Sequence, residues 1–202
     1  MDPQSQPTWI AFAGSKRLAS GPPQDVAATV KAFVDDGGED AVLVFDASSS
    51  EPVELDLRGS AAAVLKRLSA VTGQSGPARS APVRARAPGR PKLGVTAREV
   101  TLMPRHWNWL GAQPGGASVA LRKLVERALR ANGDEDRIRQ AREAAYRFMT
   151  AMAGNAPGYE EALRVLFAGD HSRLRRIVAK WPADVREHAL ALALGSGRMP
   201  HG

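Results

Sequence analysis

The sequence predicts an α+β protein. Its strands lie mainly in the first 72 residues, and its helices dominate the second half. Three observations predict this. Strand-length apolar runs alternate with helical apolar spacing up to residue 72. Residues 73–93 are dominated by Pro, Gly, Ser and Arg and cannot pack a core. Beyond residue 94 one strand pattern is followed only by apolar residues at three- and four-residue spacing. The expected parts are a strand-helix domain over 1–72, a flexible basic linker over 73–93 and a strand-helix-helix core over 94–131. A helical region over 132–195 and a disordered tail over 196–202 complete the chain.

The elements follow in order. Residues 1–7 are polar and contain Pro3 and Pro7, as in a loose tail. Residues 9–13 read as a strand, Ser15 turns the chain, and residues 16–20 read as its hairpin partner. Gly21-Pro22-Pro23 breaks the strand, and Pro23 suits a first helical turn. Val26, Ala27, Val30, Phe33 and Val34 then share a helical face that Gly37-Gly38 ends. The continuous apolar run 41–45 has the pattern of a buried strand. After the Ser-rich loop 46–51, Val53, Leu55 and Leu57 alternate with Glu54, Asp56 and Arg58, as in a strand with one wet face. Ser60 caps a helix carrying Ala63, Val64, Leu65 and Leu68. Strand-strand-helix thus occurs twice, and a four-stranded sheet with both helices on one face buries both apolar faces.

After the linker, residues 95–102 read as a strand and residues 104–113 as a helix. Pro114-Gly115-Gly116-Ala117 makes a turn, and Ser118 caps a second helix over 118–130, stopped by Asn132-Gly133. Asp134 caps a third helix through Ala153, with Ile138, Ala141, Ala145, Phe148, Met149 and Met152 at helical spacing. Residues 154–158 break it, and shorter helices follow over 159–167, 171–180 and 182–194.

Composition narrows the function classes. The 202 residues contain no Cys, which excludes a disulfide framework, thiolate zinc, iron–sulfur clusters and a cysteine nucleophile. The N-terminus has neither a basic start nor an apolar h-region, so no signal peptide is expected. No apolar run approaches the ~20 residues of a membrane span. A cytoplasmic protein is expected. The net charge of +7 is unevenly spread: residues 1–75 carry a net −4, residues 76–131 a net +9 and residues 132–202 a net +2. A basic segment of this kind favours a polyanionic partner, with a solvated linker as the plainer use.

The strand-helix-helix core carries the functional expectation. Val100 and Leu102 face inward, with Glu99, Thr101 and Met103 outward, and Trp107 and Leu110 face inward from the first helix. Leu121, Leu124 and Val125 share the apolar face of the second helix. A lone strand exposes a row of unpaired N–H and C=O groups. Pairing with the same strand of a second chain satisfies them by two-fold symmetry. The result is an antiparallel ribbon that fits the DNA major groove.

These residues resemble the ribbon-helix-helix DNA-binding proteins over about residues 94–131. The resemblance rests on the strand 99–102, Leu110, the glycine corner, Ser118 and the Leu121/Leu124/Val125 face. It implies obligate dimerisation, base readout by alternate strand residues and phosphate clamping by N–H groups at the second helix start. The last role falls on Gly116, Ala117 and Ser118. One departure stands out: that family places basic or amide residues at the outward strand positions, where this chain has Ala97, Glu99 and Thr101. A carboxylate there faces phosphates unfavourably but can accept from cytosine N4. DNA reading, a ribbon used only to dimerise and an ordinary intrachain strand all stay open.

The whole chain also resembles a bacterial family known only as a domain of unknown function, family 2239. The matching stretches are 9–21, 42–58, 89–94, 98–118, 144–154 and 181–188. No activity comes with that likeness.

In the linker, Arg84, Arg86, Arg90 and Lys92 lie among Ala, Pro and Gly. Gly89-Arg90-Pro91 is similar to the core of an AT-hook, which lays an extended arginine in the narrow minor groove. Pro91 biases Arg90 toward extended backbone. Pro88 stands where that motif carries a basic residue, so a plain basic linker is the alternative.

Catalytic groups are sparse. His106, His171, His188 and His201 have no metal-ligand spacing, and a lone histidine more often sits at a surface or cap. Asp134, Glu135, Asp136, Glu160 and Glu161 sit at helix starts, where the dipole favours carboxylates. There is no phosphate-binding Gly-x4-Gly-Lys loop and no nucleophile elbow. Asp170 reads as a cap, Trp181 as a core anchor, and Trp107 and Trp109 as one core and one surface ring.

The sequence therefore points to a non-enzymatic homodimer that binds double-stranded DNA and regulates transcription, without metal or cofactor. Arg84, Arg86, Arg90, Lys92, Arg98, Glu99, Thr101, Arg105, Gly116 and Ser118 are the expected DNA contacts. Val100, Leu102, Trp107, Leu110, Leu121, Leu124 and Val125 form the expected dimer core. The acidic N-terminal domain is expected to take a protein or small-molecule effector. If DNA binding holds, the protein associates with the nucleoid. The alternative is an interaction scaffold in which the ribbon only dimerises.

Overall fold

The computed structural model describes residues 8–72 and 98–195, and the chain is mixed α and β as expected. The expected tail, linker and C-terminal end, with Arg84, Arg86, Arg90 and Lys92, lie outside the described residues. The chain divides into two compact units. The larger contains the N-terminal residues to 76 and those from Asp136 onward, and the smaller runs from Pro77 to Glu135.

In the larger unit, β1 (Trp9–Ala13) is the middle strand of an antiparallel sheet of order β2-β1-β3, with β2 (Lys16–Gly21) and β3 (Val42–Asp46). All five residues of β1 are buried, so both faces of the sheet are covered. Alternation along the strand decides what covers each face. Trp9 and Ala11 join Val26 and Val30 of α1 (Pro23–Asp35) and Val44 of β3 in one cluster, with Leu68 of α2 (Ala61–Thr72) packed against it. Ile10 and Phe12 join Phe45, Ala144, Phe148 and Met149, and this second cluster runs through the C-terminal helices. Those helices are α5 (Tyr159–Ala168), α6 (His171–Ile177) with a 3-10 turn (Val178–Lys180), and α7 (Ala183–Ala193). The N-terminal strands and C-terminal helices, which the sequence assigns to separate parts, share this core. Phe12 and Phe148 meet at 5.2 Å between ring centroids.

Local chemistry explains the elements. Pro23 opens α1 after the N-cap Pro22, as expected. The buried face of α1 is Val26, Ala27 and Val30, whereas Val34 is exposed and the stem of Lys31 is buried, with its ammonium paired to Asp35. Gly38 ends the helix where no side chain fits: a Cβ there would lie 2.3 Å from the Phe33 ring. Asp170 caps α6, accepting from Arg173 N–H at 2.8 Å. Trp181 is buried and donates from Nε1 to the Pro157 carbonyl at 3.0 Å, the expected anchor.

The expected fourth strand is not formed. Residues 52–57 make one bridge, Phe45 to Pro52, and Val53 N–H donates to the Val44 carbonyl at 2.8 Å. Pairing then stops, because Pro52 has no N–H and side chains take over the backbone. Arg67 donates to the carbonyls of Asp56 and Arg58, and Arg58 N–H donates to the Asp56 carboxylate. Val53, Leu55 and Leu57 still pack against the first cluster, so the alternation seen in sequence buries a face without a ladder.

The preceding loop is tied by a carboxylate. Asp46 accepts from the backbone N–H and hydroxyl groups of Ser48 and Ser49. Burial opposes its charge, but these hydrogen bonds outweigh burial and hold its carboxyl below the usual value. Hydrogen bonds from the Arg58 side chain and backbone hold exposed Asp56 well below the ordinary range as well.

In the smaller unit, residues 98–103 carry no regular secondary structure and lead into α3 (Pro104–Gly111). The next helix, α4, runs Gly116–Ala153 without a break, 38 residues that end within the larger unit. This overturns the expected stop at Asn132-Gly133 and the separate helix from Asp134. A helical Gly costs about 1 kcal/mol relative to Ala, too little to break a helix carried by residues on both sides. Spaced ion pairs support it: Glu126 with Arg130 at 3.7 Å, Asp136 with Arg139 at 2.7 Å and Glu143 with Arg147 at 3.7 Å.

Candidate nucleic-acid interface

The smaller unit begins with a segment that has no ladder. No backbone hydrogen bond of residues 98–102 is found among the described residues, and Met103 at the helix N-cap is extended, with φ −68° and ψ 151°. Among the described residues, 98–102 therefore form no strand and have no neighbouring strand to pair with. Arg98, Glu99, Val100 and Thr101 are all exposed, and Leu102 is half-buried. The expected division into inward and outward residues does not appear, since Arg98, Glu99, Val100 and Thr101 are exposed alike.

Pro104 opens α3, which closes at Gly111, two residues before the expected end. Gln113 continues the turn, its N–H donating to the Leu110 carbonyl and its Nε2 to the Trp109 carbonyl. The corner then needs two successive left-handed residues, Gly115 at φ 86° and Gly116 at φ 74°. A Cβ at Gly115 would also lie 3.0 Å from Val119. The glycine corner is thus a steric requirement.

The helix start differs from expectation by two residues. α4 begins at Gly116, so Ser118 lies inside its first turn rather than capping it. Gly116 N–H is taken by the Gln113 carbonyl at 2.9 Å. Of the expected phosphate donors, the N–H groups of Ala117 and Ser118 remain at the positive end of the helix dipole. Arg122 Nε donates to the Ser118 carbonyl at 3.1 Å and holds a guanidinium beside this turn. Arg105 is exposed, with its Nε 3.4 Å from His106 Nε2. Arg98, Lys123 and Arg127 are exposed, with no ion pair among the described residues.

The expected core is mostly open in the single chain. Leu110 is buried and Ala120 nearly so, while Leu102 and Leu121 are half-buried. Val100, Trp107, Leu124 and Val125 are 41–54% exposed. Met103, Trp109 and Leu129 are exposed beside them. The expectation of one core and one surface tryptophan is corrected: both rings are exposed.

The histidines are dispersed. His106 is exposed, and His171 lies at the start of α6 with Nδ1 buried and unpartnered. His188, which the sequence left as an ordinary surface or cap residue, is packed edge-on against Phe148 at 4.6 Å and tilted on Phe12 at 6.0 Å. Burial, with a smaller contribution from the Arg17 charge, pushes its pKa down to about 4. The signal that could have found it is its place on the buried face of α7 with Val185, Ala189 and Leu192. No group of three or more His, Asp or Glu side chains gathers among the described residues. None of their helices is long and apolar enough to cross a membrane.

No curated protein and no solved structure matches the chain. A family model does, over residues 8–193, from the strand β1 through the end of α7. The match spans residues of both units. The chain belongs to the family described as "Uncharacterized protein conserved in bacteria (DUF2239)".

Proposed function

We propose that the protein is a homodimer that binds double-stranded DNA through its smaller unit and acts as a regulator of transcription. The observation that carries this reading is the open apolar face of α3 and the start of α4. Val100, Trp107, Leu124, Val125 and Leu129 are each left exposed there, and a cover would take their apolar surface out of water. A second copy suits it better than another partner, because residues 98–102 also lack backbone partners among the described residues. Two-fold pairing of this segment with itself supplies ladder bonds and a cover for the apolar face at once. The paired segments would present Thr101, with Arg98 and Glu99, as one ribbon toward a groove. Arg105, Arg122 and the free N–H groups of Ala117 and Ser118 would meet phosphates on either side. The basic residues of 73–93, Arg84, Arg86, Arg90 and Lys92, add sequence-independent attraction.

A second reading has its own support. Glu99 is exposed and carries a charge that phosphates repel. In that reading the paired segment only dimerises the chain, and the protein is an interaction scaffold.

The test is fluorescence anisotropy of a labelled duplex titrated with the full chain at two salt concentrations. DNA binding predicts affinity that falls steeply with salt. Replacing Arg90 and Lys92 with Ala then lowers the salt slope by about two units if both touch phosphate. Binding that is absent even at low salt, in a chain that sediments as a dimer, overturns the DNA reading in favour of the scaffold. A monomer at micromolar concentration overturns both.

A further inference from the structure

We propose that the face of α3 carrying Arg105 and Trp109 binds single-stranded DNA, with an unpaired base stacked on Trp109 and Arg105 on an adjoining phosphate. Trp109 is 53% exposed, and Arg105 lies four residues before it, one turn along the same face. Trp107 is two residues away and looks to another side of the helix, so the two rings do not share one surface. Arg105 donates from Nε to His106 Nε2 at 3.4 Å, and both side chains are exposed. Gln113, one turn beyond, donates from Nε2 to the Trp109 carbonyl at 3.1 Å and ties down the backbone that carries the ring.

The chemistry of this face selects the partner. An indole offers a flat π-face on which any base can stack. A base inside a duplex is already covered on both faces by its neighbours, so an unpaired base is the one the ring can take. Charge points the same way. From Val100 to Val125 the sequence contains Arg105, Arg122 and Lys123 and no Asp or Glu, so a polyanion meets no opposing charge along the stretch. A lipid surface fits less well, because insertion among acyl chains calls for apolar neighbours. The residues one turn from Trp109 are Arg105, His106, Ala112 and Gln113.

The inference rests on the reading that the smaller unit meets DNA, and it adds a strand type and a ring that duplex binding does not use. The experiment titrates the full chain with oligothymidylate, and separately with an abasic deoxyribose-phosphate strand of the same length. Binding is followed by tryptophan emission and by anisotropy of the labelled strand. Trp9 and Trp181 are buried, so a change in emission reports on Trp107 and Trp109. The expected result is saturable quenching by oligothymidylate and none by the abasic strand. Trp109→Ala should weaken oligothymidylate binding about tenfold or more. Trp109→Phe keeps a ring and should recover most of that affinity while losing most of the quenching. Arg105→Ala should lower the salt slope by about 0.7 units. Absent quenching, equal quenching by the abasic strand, or a Trp109→Ala protein that folds and binds as the parent does overturns the proposal. So does emission that responds to phosphatidylglycerol vesicles and not to oligothymidylate, which makes the face a membrane contact. Quenching by oligothymidylate with no duplex binding overturns the duplex reading alone, and duplex binding with no response to oligothymidylate overturns this inference alone.

Discussion

His188 sits against two phenylalanine rings, where a charge is poorly solvated. Its pKa is lowered from 6.5 to about 4 by burial first and by Arg17 second. In the unfolded chain the ring takes a proton near pH 6.5, so between these values the unfolded state binds more protons than the folded one. The stability this neutral ring contributes is present above about pH 6.5 and is lost as pH falls toward 4, by at most about 1.4 kcal/mol per pH unit. Urea unfolding at pH 7, 6 and 5 should show that loss, and His188→Leu should flatten it relative to the parent. A parent and variant with the same slope would place the titration elsewhere. Ser50 is the second residue under constraint: it has φ 55°, is 1% exposed, and its hydroxyl has no partner among the described residues. Ser50→Gly relieves the left-handed backbone and removes the orphaned hydroxyl. It should raise unfolding free energy by about 1 kcal/mol, and a loss of stability would mean the hydroxyl holds a water.

At the scale of elements, α4 is where the sequence misleads most. Asn132-Gly133 followed by an acidic cluster has the signature of one helix ending and another being capped. The 38-residue helix continues through it, because helix propensity is a weak local preference and the turns on either side are already formed. Gly133 is the weak point, and a Cβ added there meets nothing within 4 Å. Gly133→Ala should therefore stabilise the chain by about 1 kcal/mol, read from chemical denaturation. No gain would mean that this turn is not helical in solution. The strip 52–57 errs the other way. Its period-two pattern is real and its apolar residues are packed, but Arg67 occupies the Asp56 and Arg58 carbonyls that a neighbouring strand would need. Side-chain pattern reports which face is buried. It does not report which group satisfies the backbone.

For the whole molecule, the decisive contrast is between the two units. The larger buries a continuous core from Ile10 and Phe12 of the sheet to Ala193 of α7. The smaller has Leu110 and Ala120 as its buried hydrophobic residues among those described, with Leu124, Val125 and Leu129 left open. If a second copy covers that face, dimer dissociation is coupled to stability, and the thermal midpoint rises with protein concentration. Replacing Leu124 and Val125 with Glu should remove that concentration dependence and convert the sedimenting species to a monomer, while the fold of the larger unit persists by circular dichroism. A parent midpoint that is independent of concentration, with monomeric sedimentation, would remove the basis for the dimer.

The sequence by itself determined the local order of this protein: β1, β2, α1 and β3, the turn at the paired glycines 115 and 116, the Asp170 cap and the Trp181 anchor. Each rests on interactions a few residues apart, where spacing, proline, glycine and capping side chains act directly. It also marked Leu121, Leu124 and Val125 as an apolar face. Only the tertiary structure decided that both faces of the sheet are covered and that the C-terminal helices close the core begun by Phe12. Only it showed that α4 is one helix and that His188 is packed on two aromatic rings. The packing of Phe12 on Phe148 and His188 joins residues more than a hundred positions apart. Apolar spacing says that a face must be buried, whereas the identity of what buries it is set by how the whole chain packs.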